Sequence, residues 1–263
     1  MFDAFLMGLV EGLTEFLPIS STGHMILLGE AIGFQGPPGK VFEISIQLGA
    51  ICAVILLFRQ RLLGLARHMW RPRTPERNLA VNLALAFLPA MVLGATLHKT
   101  ITTMLFNPWV VSVALILGGI AIIVIERRIR VPTIRSLDEM GPGAALLIGF
   151  GQALAMIPGT SRSGATIITA LLCGVDRRSA AEFSFLLAIP TMLAAAAYSL
   201  LKARDELSTD GLAMIALGFV TAFLVAMVTV RWVMAVIGRI GFTPFGWYRI
   251  ALGTVMLLVL ALR

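Results

Sequence analysis

Apolar runs long enough to cross a bilayer recur along almost the whole chain, and two of them are cut in the middle by short polar segments. A membrane-crossing helix needs about 20 predominantly apolar residues, and these runs reach about 18 to 22. In hydrocarbon a backbone must satisfy its own hydrogen bonds, which leaves only helices or a closed barrel. Barrel strands would alternate apolar and polar residues at period two, and these runs do not. With 58% of 263 residues hydrophobic, 13% charged and a mean hydropathy of +0.92, the chain reads as an all-α integral membrane protein.

Reading the apolar runs between charges predicts six transmembrane helices, near 41–58, 79–98, 109–126, 179–201, 211–231 and 244–262. Stretches 3–34 and 143–173 are also long enough. Pro18-Ile-Ser-Ser-Thr-Gly-His24 interrupts the first, however, and Pro158-Gly-Thr-Ser-Arg-Ser-Gly164 the second. Proline and glycine break a helix there, so each stretch reads as a re-entrant helix hairpin whose halves enter and leave by one membrane face. The start, Met1-Phe-Asp-Ala, has neither a basic segment nor a small-residue cleavage site. The first apolar segment is therefore expected to stay in the mature protein.

Arginine placement tests this arrangement. The loop holding Arg59, Arg61, Arg67, Arg71, Arg73 and Arg77 should be cytoplasmic. Six spans and two non-crossing hairpins then put Arg127, Arg128, Arg130, Arg135, Arg177, Arg178 and Arg239 on the same side. Lys40, Lys99, the mixed Lys202–Asp210 loop and Arg263 fall opposite. Making either hairpin a true span would spread basic segments over both sides.

The two halves also resemble each other. Glu11-Gly-Leu-Thr-Glu-Phe-Leu-Pro18 recurs loosely as Gln152-Ala-Leu-Ala-Met-Ile-Pro158, and Phe42-Glu-Ile-Ser-Ile-Gln-Leu48 as Ala181-Glu-Phe-Ser-Phe-Leu-Leu187. A single membrane domain, 1–263, is thus predicted to hold two repeats, about 1–130 and about 140–263, each a hairpin plus three spans. An odd number of crossings makes the second copy inverted relative to the first, so the hairpin tips can meet near the midplane.

A net charge of +7 does not point to nucleic acid, because the basic residues sit at the ends of apolar segments and no soluble basic module is present. Cys52 and Cys173 both lie in apolar segments and read as core filling, with no disulfide framework and no metal spacing.

The polar segments carry the chemistry, since ionisable groups inside a membrane are costly and mark function by default. Glu11 and Glu15, four apart, share one helix face with Cβ atoms about 5 to 6 Å apart. Two buried like charges repel unless a cation or an arginine lies between them. A hard divalent ion, Mg2+ or Ca2+, bridging carboxylates and a substrate phosphate would relieve that repulsion. The plainer alternative is a carboxyl pair satisfied by hydroxyls. After each break the chain restarts as a helix, with Ser21 or Thr22 expected to cap the first and Ser163 the second. The free N–H groups there make each restart an anion site. Arg162, between Ser161 and Ser163 and next to Gly164, adds a planar fork suited to phosphate, although it could instead neutralise Glu11 or Glu15.

His24 is the one histidine close to these groups, since His68 lies among loop arginines and His98 near a helix end. It is a candidate general acid or base, against the alternative of a hydrogen-bonded core histidine. Ser20, Ser21 and Thr22 offer nucleophiles, and activated water is a further one; the sequence leaves the choice open. Glu43 and Glu182, at matching places in the repeats, read as structural groups bonding the hairpin backbones. Asp176, Arg177 and Arg178 read as a short loop facing solvent or lipid headgroups.

With Glu-x-x-x-Glu, Pro-x-Ser-Ser-Thr-Gly-His and Pro-Gly-x-Ser-Arg-Ser-Gly-Ala-Thr in place, the chain resembles the undecaprenyl-diphosphate phosphatase family, also called the bacitracin-resistance type. The resemblance runs essentially end to end and includes Thr166. It implies hydrolysis of undecaprenyl diphosphate to undecaprenyl phosphate and inorganic phosphate, recycling the carrier lipid for bacterial cell-wall peptidoglycan. It also implies a multi-pass protein of the cytoplasmic (inner) membrane, dependent on a divalent metal, with its pocket open toward the periplasm. Glu11, Glu15, Ser21, His24 and Arg162 match the family's key positions. Ser20, Thr22, Ser161, Ser163, Gly164 and Thr166 are the expected substrate contacts, and Glu11 and Glu15 the expected metal ligands. The expected partners are a polyprenyl diphosphate and membrane lipid, with a homo-oligomer left open.

Two rivals share some of these features. A lipid transporter or flippase would also use inverted repeats and broken helices at the midplane, but would not need so many hydrolytic groups on one tip. A second superfamily of membrane phosphatases has similar Pro-Ser-Gly-His and Ser-Arg segments. It requires a further nucleophilic histidine several residues after the Ser-Arg pair, and none follows Arg162.

Overall fold

The computed structural model of the chain describes residues 1–34, 36, 41–105, 107–128, 131–202 and 211–262, with backbone alone over 97–104. Lys40, Arg130, residues 203–210 of the mixed loop and Arg263 lie outside the described residues, as do the side chains of His98 and Lys99. The described residues are helical almost throughout, as the apolar runs predict.

Two short helices, α1 (Phe2–Thr14) and α2 (Ser21–Ile32), come first. They are followed by α3 (Val41–Leu57), α4 (Arg59–His68), α5 (Pro75–Met104) and α6 (Pro108–Arg128). A second short pair, α7 (Pro142–Ala153) and α8 (Arg162–Leu172), precedes α9 (Arg177–Lys202), α10 (Leu212–Ile240) and α11 (Thr243–Leu262). Helices α5, α6, α9, α10 and α11 are long and apolar enough to cross a membrane, and α3 with α4 makes a sixth candidate bent by 73°. The outward faces stay greasy, with Leu117, Val228 and Leu258 exposed, which suits contact with lipid.

Helix bounds differ from expectation in three places, one of them α5, which runs Pro75–Met104 against the expected 79–98. Residues 59–68, expected as loop, form α4, because Arg-Gln-Arg-Leu-Leu is built of strong helix formers whose one buried side chain is Leu65. Helix α10 runs nine residues past the expected end at 231, since Arg231 is itself a good helix former and the chain turns only at Gly241, where φ is +67°.

Close helix contacts are made by glycine, as expected where lipid supplies no hydrophobic drive for helix association. A Cβ on Gly8 of α1 would lie 2.5 Å from Gly218 O of α10, and a Cβ on Gly149 of α7 would lie 2.6 Å from Ala86 O of α5. Each short pair thus leans on a long helix from the other half of the chain. Between them sits the main apolar core, including Phe16, Ile148, Ile167, Phe183 and Phe185, in which Phe16 meets Phe185 edge to face at 5.5 Å.

The arginine-bearing loops gather at one end. Arg61 bonds Asp138 at 2.7 Å, and Arg177 bonds Glu126 at 2.7 Å. Glu126 also accepts the Phe242 and Thr243 N–H groups at the α10–α11 turn. Arg177 is therefore ion-paired, while its side chain stays 42% exposed. Asp176 caps α9 by accepting the Arg178 and Ser179 N–H groups, so all three residues belong to the start of α9 and not to a loose loop.

Candidate active site

Both short pairs are broken by the same backbone device. Pro18 and Pro158 lack an N–H and end the first half-helix of each pair. The chain then passes through a serine with positive φ, Ser20 at 69° and Ser161 at 72°. Such a conformation costs a non-glycine residue about 1 to 3 kcal/mol and is held only by its surroundings. Here the serine is the helix cap. Ser20 Oγ accepts the Gly23 N–H at 3.5 Å, and Ser161 Oγ accepts the Gly164 N–H at 3.1 Å. The expected caps, Ser21 or Thr22 and Ser163, lie inside the first turn instead, because the turn to positive φ comes one or two residues earlier.

These caps set a local register of 141 residues between the two breaks, which becomes 140 at Pro18 and Pro158 and 139 at Glu43 and Glu182. Ser20 and Ser161, Gly23 and Gly164, and Gly8 and Gly149 are all 141 residues apart. In that register Glu11 corresponds to Gln152, Glu15 to Met156, Ser21 to Arg162 and His24 to Ala165.

Side chains from the two breaks meet. Ser21 Oγ donates to Glu15 Oε2 at 2.5 Å, and Arg162 Nη2 donates to Glu15 Oε1 at 3.2 Å across 147 residues of sequence. Arg162 Nη1 donates to Ser184 O at 3.1 Å, its plane stands 5.9 Å from the Phe16 ring centre, and its Nε is buried without a partner. The guanidinium is thus both ion-paired and in possession of a spare donor. Ser163 Oγ donates to Leu17 O at 2.7 Å and lies 3.1 Å from Ser161 Oγ, tying the second break to the first. Thr166 Oγ1 bonds Ser184 Oγ at 2.7 Å and Arg162 O at 2.9 Å, which steadies the turn carrying Arg162.

A cavity of about 620 Å3 opens onto this cluster. Glu15, Ser20, Ser21, Thr22, Ser161 and Arg162 line its polar end. Apolar residues of α5 and α9, among them Phe87, Met91 and Met192, line most of the remainder, with Gln47, Gln152, Thr191 and Ser199 interspersed, next to the helix-interior prolines Pro89 and Pro190.

The other expected site residues lie behind or beside the cavity. Glu11 is buried, and its Oε1 has no partner. Ser163, Gly164 and Thr166 hold the second break and do not line the cavity. His24 is also set apart: Nδ1 lies 2.8 Å from Ser20 O, and Nε2 lies 2.7 Å from the hydroxyl of Tyr248, whose ring stacks on it. Neither Glu43 nor Glu182 makes the expected bond to a break among the described residues. Glu43 Oε2 is buried and unpartnered, and Glu182 lines a separate pocket of about 290 Å3 with Arg61, Arg135 and Asp138.

No group of three or more His, Cys, Asp or Glu side chains converges among the described residues. A divalent cation would therefore have Glu11 and Glu15 as its protein carboxylates and would complete its shell with water and substrate oxygens. Mg2+ prefers such sparse sites, and the orphaned Glu11 Oε1 is an available ligand. The donor set fits.

Arg249 was not legible as a site residue in advance. It is fully buried in α11 and bonds backbone carbonyls of both breaks, at Pro18, Gly159 and Thr160. The available signal was one arginine inside a 20-residue run with no other charge.

The chain is similar to known proteins over essentially its whole length. Undecaprenyl-diphosphatase 2 of Paramagnetospirillum magneticum is 55% identical over 263 residues, covering all of both chains. The undecaprenyl-diphosphatase of Sphingopyxis alaskensis is 50% identical over 256 residues, 97% of this chain and 96% of that one. That of Ectopseudomonas mendocina is 50% identical over 97% of this chain and 92% of its own. The family described as bacitracin resistance protein BacA matches residues 4–255, and the chain belongs to it.

Proposed function

We propose that this chain is an undecaprenyl-diphosphatase, hydrolysing undecaprenyl diphosphate to undecaprenyl phosphate and inorganic phosphate and so returning the carrier lipid to cell-wall synthesis. One observation carries the reading at the level of chemistry. Glu15, Ser21 and Arg162, drawn from two breaks, meet at the polar end of a cavity whose other walls are mostly apolar. A diphosphate can occupy the polar end while an isoprenoid tail lies along α5 and α9 toward lipid.

Glu15 accepts the Ser21 hydroxyl proton as Ser21 Oγ attacks the terminal phosphorus; the Oγ–P bond forms and the bridging P–O bond breaks, releasing the lipid monophosphate. Water then attacks the phosphoserine phosphorus, the Oγ–P bond breaks, the proton held by Glu15 returns to Ser21 Oγ, and inorganic phosphate leaves carrying the water's oxygen and protons. Arg162 turns its fork, including the spare Nε, onto the phosphoryl oxygens, and the N–H groups at the start of α2 and α8 add to it. Bound by Glu11 and Glu15, Mg2+ or Ca2+ would supply charge neutralisation to the diphosphate. Ser20, Thr22 and Ser161 line the headgroup end, while Ser163, Gly164 and Thr166 fix the loop that presents Arg162.

The finer topology is part of this reading. The short pairs are re-entrant hairpins in an inverted repeat, about 1–130 and about 140–263, placed in a bacterial inner membrane with the arginine-rich end cytoplasmic and the cavity toward the periplasm. Supporting it are the local register of 141 residues, the paired serine caps, and the exchange by which α1 packs on α10 and α7 on α5. Helices of 11 to 13 residues are too short to cross alone.

The test is phosphate release from a polyprenyl diphosphate by purified protein, with and without chelator. Arg162→Ala and Glu15→Gln should each lose at least about 10²-fold, the scale of a removed charge-stabilising or acid–base group. Chelation should abolish turnover and Mg2+ or Ca2+ restore it. Near-normal turnover in either variant would remove that residue from its role.

A further inference from the structure

Arg249 stands seven residues into α11, fully buried, and no carboxylate among the described residues pairs with it. A guanidinium has five N–H donors in a rigid plane. All five are used, and every acceptor is a backbone carbonyl. Nη1 donates to Pro18 O at 3.1 Å and Thr160 O at 2.9 Å; Nη2 donates to Gly159 O at 3.0 Å and Ala114 O at 3.1 Å; Nε donates to Leu115 O at 3.2 Å. The acceptors come from three places: the first break, the second break and the middle of α6.

Room for this group is made by glycine. A Cβ on Gly118 would run into the guanidinium, and one on Gly164 would lie 3.1 Å from Nη1. Burying an arginine without a counter-ion is expensive, so a site built around one reflects a demand on geometry. The bonded carbonyls identify that demand. Pro18 is two residues before the Ser20 cap, and Thr160 immediately precedes the Ser161 cap, both held at positive φ.

We infer that Arg249 is the positioning residue that fixes the two breaks at one separation, and thereby brings Glu15 and Ser21 of one against Arg162 of the other. It does not itself line the cavity, although Gly159, whose carbonyl it bonds, does, and it bonds none of the three side chains it aligns. Lysine at this place keeps the charge, but its three donors cannot serve five carbonyls in a plane. Breaks released from their common anchor drift, and a reacting geometry set to within an ångström loses rate before it loses binding.

The inference rests on the proposed roles of Glu15, Ser21 and Arg162, and the test separates the two. Phosphate release is measured for wild type, Arg249→Lys, Arg162→Ala and the double variant, with kcat expressed per folded molecule from the monodisperse fraction in detergent. Arg249→Lys should lower kcat at least about 30-fold with KM within about threefold, because alignment and not binding is lost. The double variant should be no slower than Arg162→Ala by more than about threefold, because Arg249 acts only through the alignment that Arg162 completes. A purely structural role would lower yield and melting temperature while leaving kcat per folded molecule intact. That outcome, or additive losses in the double variant, overturns the inference while leaving the active-site reading in place. An active Arg162→Ala would overturn the active-site reading instead. Should Arg249→Lys give no folded protein, Gly118→Ala decides, since it displaces the guanidinium without removing its charge; a kcat within threefold of wild type would count against the inference.

Discussion

At Ser20 and at Ser161 the backbone does the same thing: φ swings to about +70°, Oγ takes the N–H three residues on, and a helix restarts. The side chains around those restarts then diverge. In the first break the matched positions hold Glu11, Glu15, Ser21 and His24; in the second they hold Gln152, Met156, Arg162 and Ala165. The two breaks thus share a backbone device that leaves helix N–H groups free, while the ionisable side chains beside it differ. Carboxylates in both breaks would repel a diphosphate from two sides, whereas acids facing a guanidinium balance one another and leave the donors free. Neither break can act alone.

The largest effect should come from the matched pair Ser21 and Arg162. Ser21→Ala removes the proposed nucleophile and is expected to cost at least about 10³-fold in phosphate release. Arg162→Lys, at the corresponding place, keeps a charge but loses the fork, and should cost only about 10- to 10²-fold. Phosphate release measured on both variants, with the phosphoenzyme trapped by acid quench in the wild type, checks the division of labour. Equal losses, or a phosphoenzyme persisting in Ser21→Ala, would show that the first break does not hold the nucleophile.

Next come the caps, where the comparison predicts likeness. Ser20→Ala and Ser161→Ala each remove a cap and keep a side chain at positive φ, so each should cost about 1 to 2 kcal/mol of stability. Glycine at either place loses the cap but relaxes the backbone, and should cost a few tenths. Unfolding in detergent reads both. Ser161 should be the more sensitive of the two, since its cap bond is shorter, 3.1 against 3.5 Å, and it also meets Ser163. A Ser20→Ala variant that is markedly the weaker would break the equivalence.

What could be read in advance follows which forces are local. The long helices were legible because a run of apolar residues has few other fates in a bilayer, and the breaks because Pro18 and Pro158 cannot continue a helix. Glu15 and Arg162 were legible because charge amid apolar sequence needs a reason, and Ser21 because it sits in the polar run after Pro18. The caps were misplaced by one or two residues, because serine at positive φ is a cost that only tertiary contacts impose. Helix α4 was read as a loop, since its arginines mask good helix propensity. Arg249 was missed because its partners are carbonyls from residues 18, 114, 115, 159 and 160, and a carbonyl leaves no mark in a sequence.

The smallest effect concerns the one histidine in the first break that has no counterpart in the second. Ser20 O can only accept, so the 2.8 Å contact requires the hydrogen of neutral His24 to sit on Nδ1. Nε2 is then bare and accepts the Tyr248 hydroxyl at 2.7 Å. Tyr248→Phe preserves the stacked ring and deletes the donor. Phosphate release should fall about threefold. Loss of 10²-fold or more would instead make the tyrosine hydroxyl a group in the chemistry itself and would move His24 from the margin of the first break to its centre.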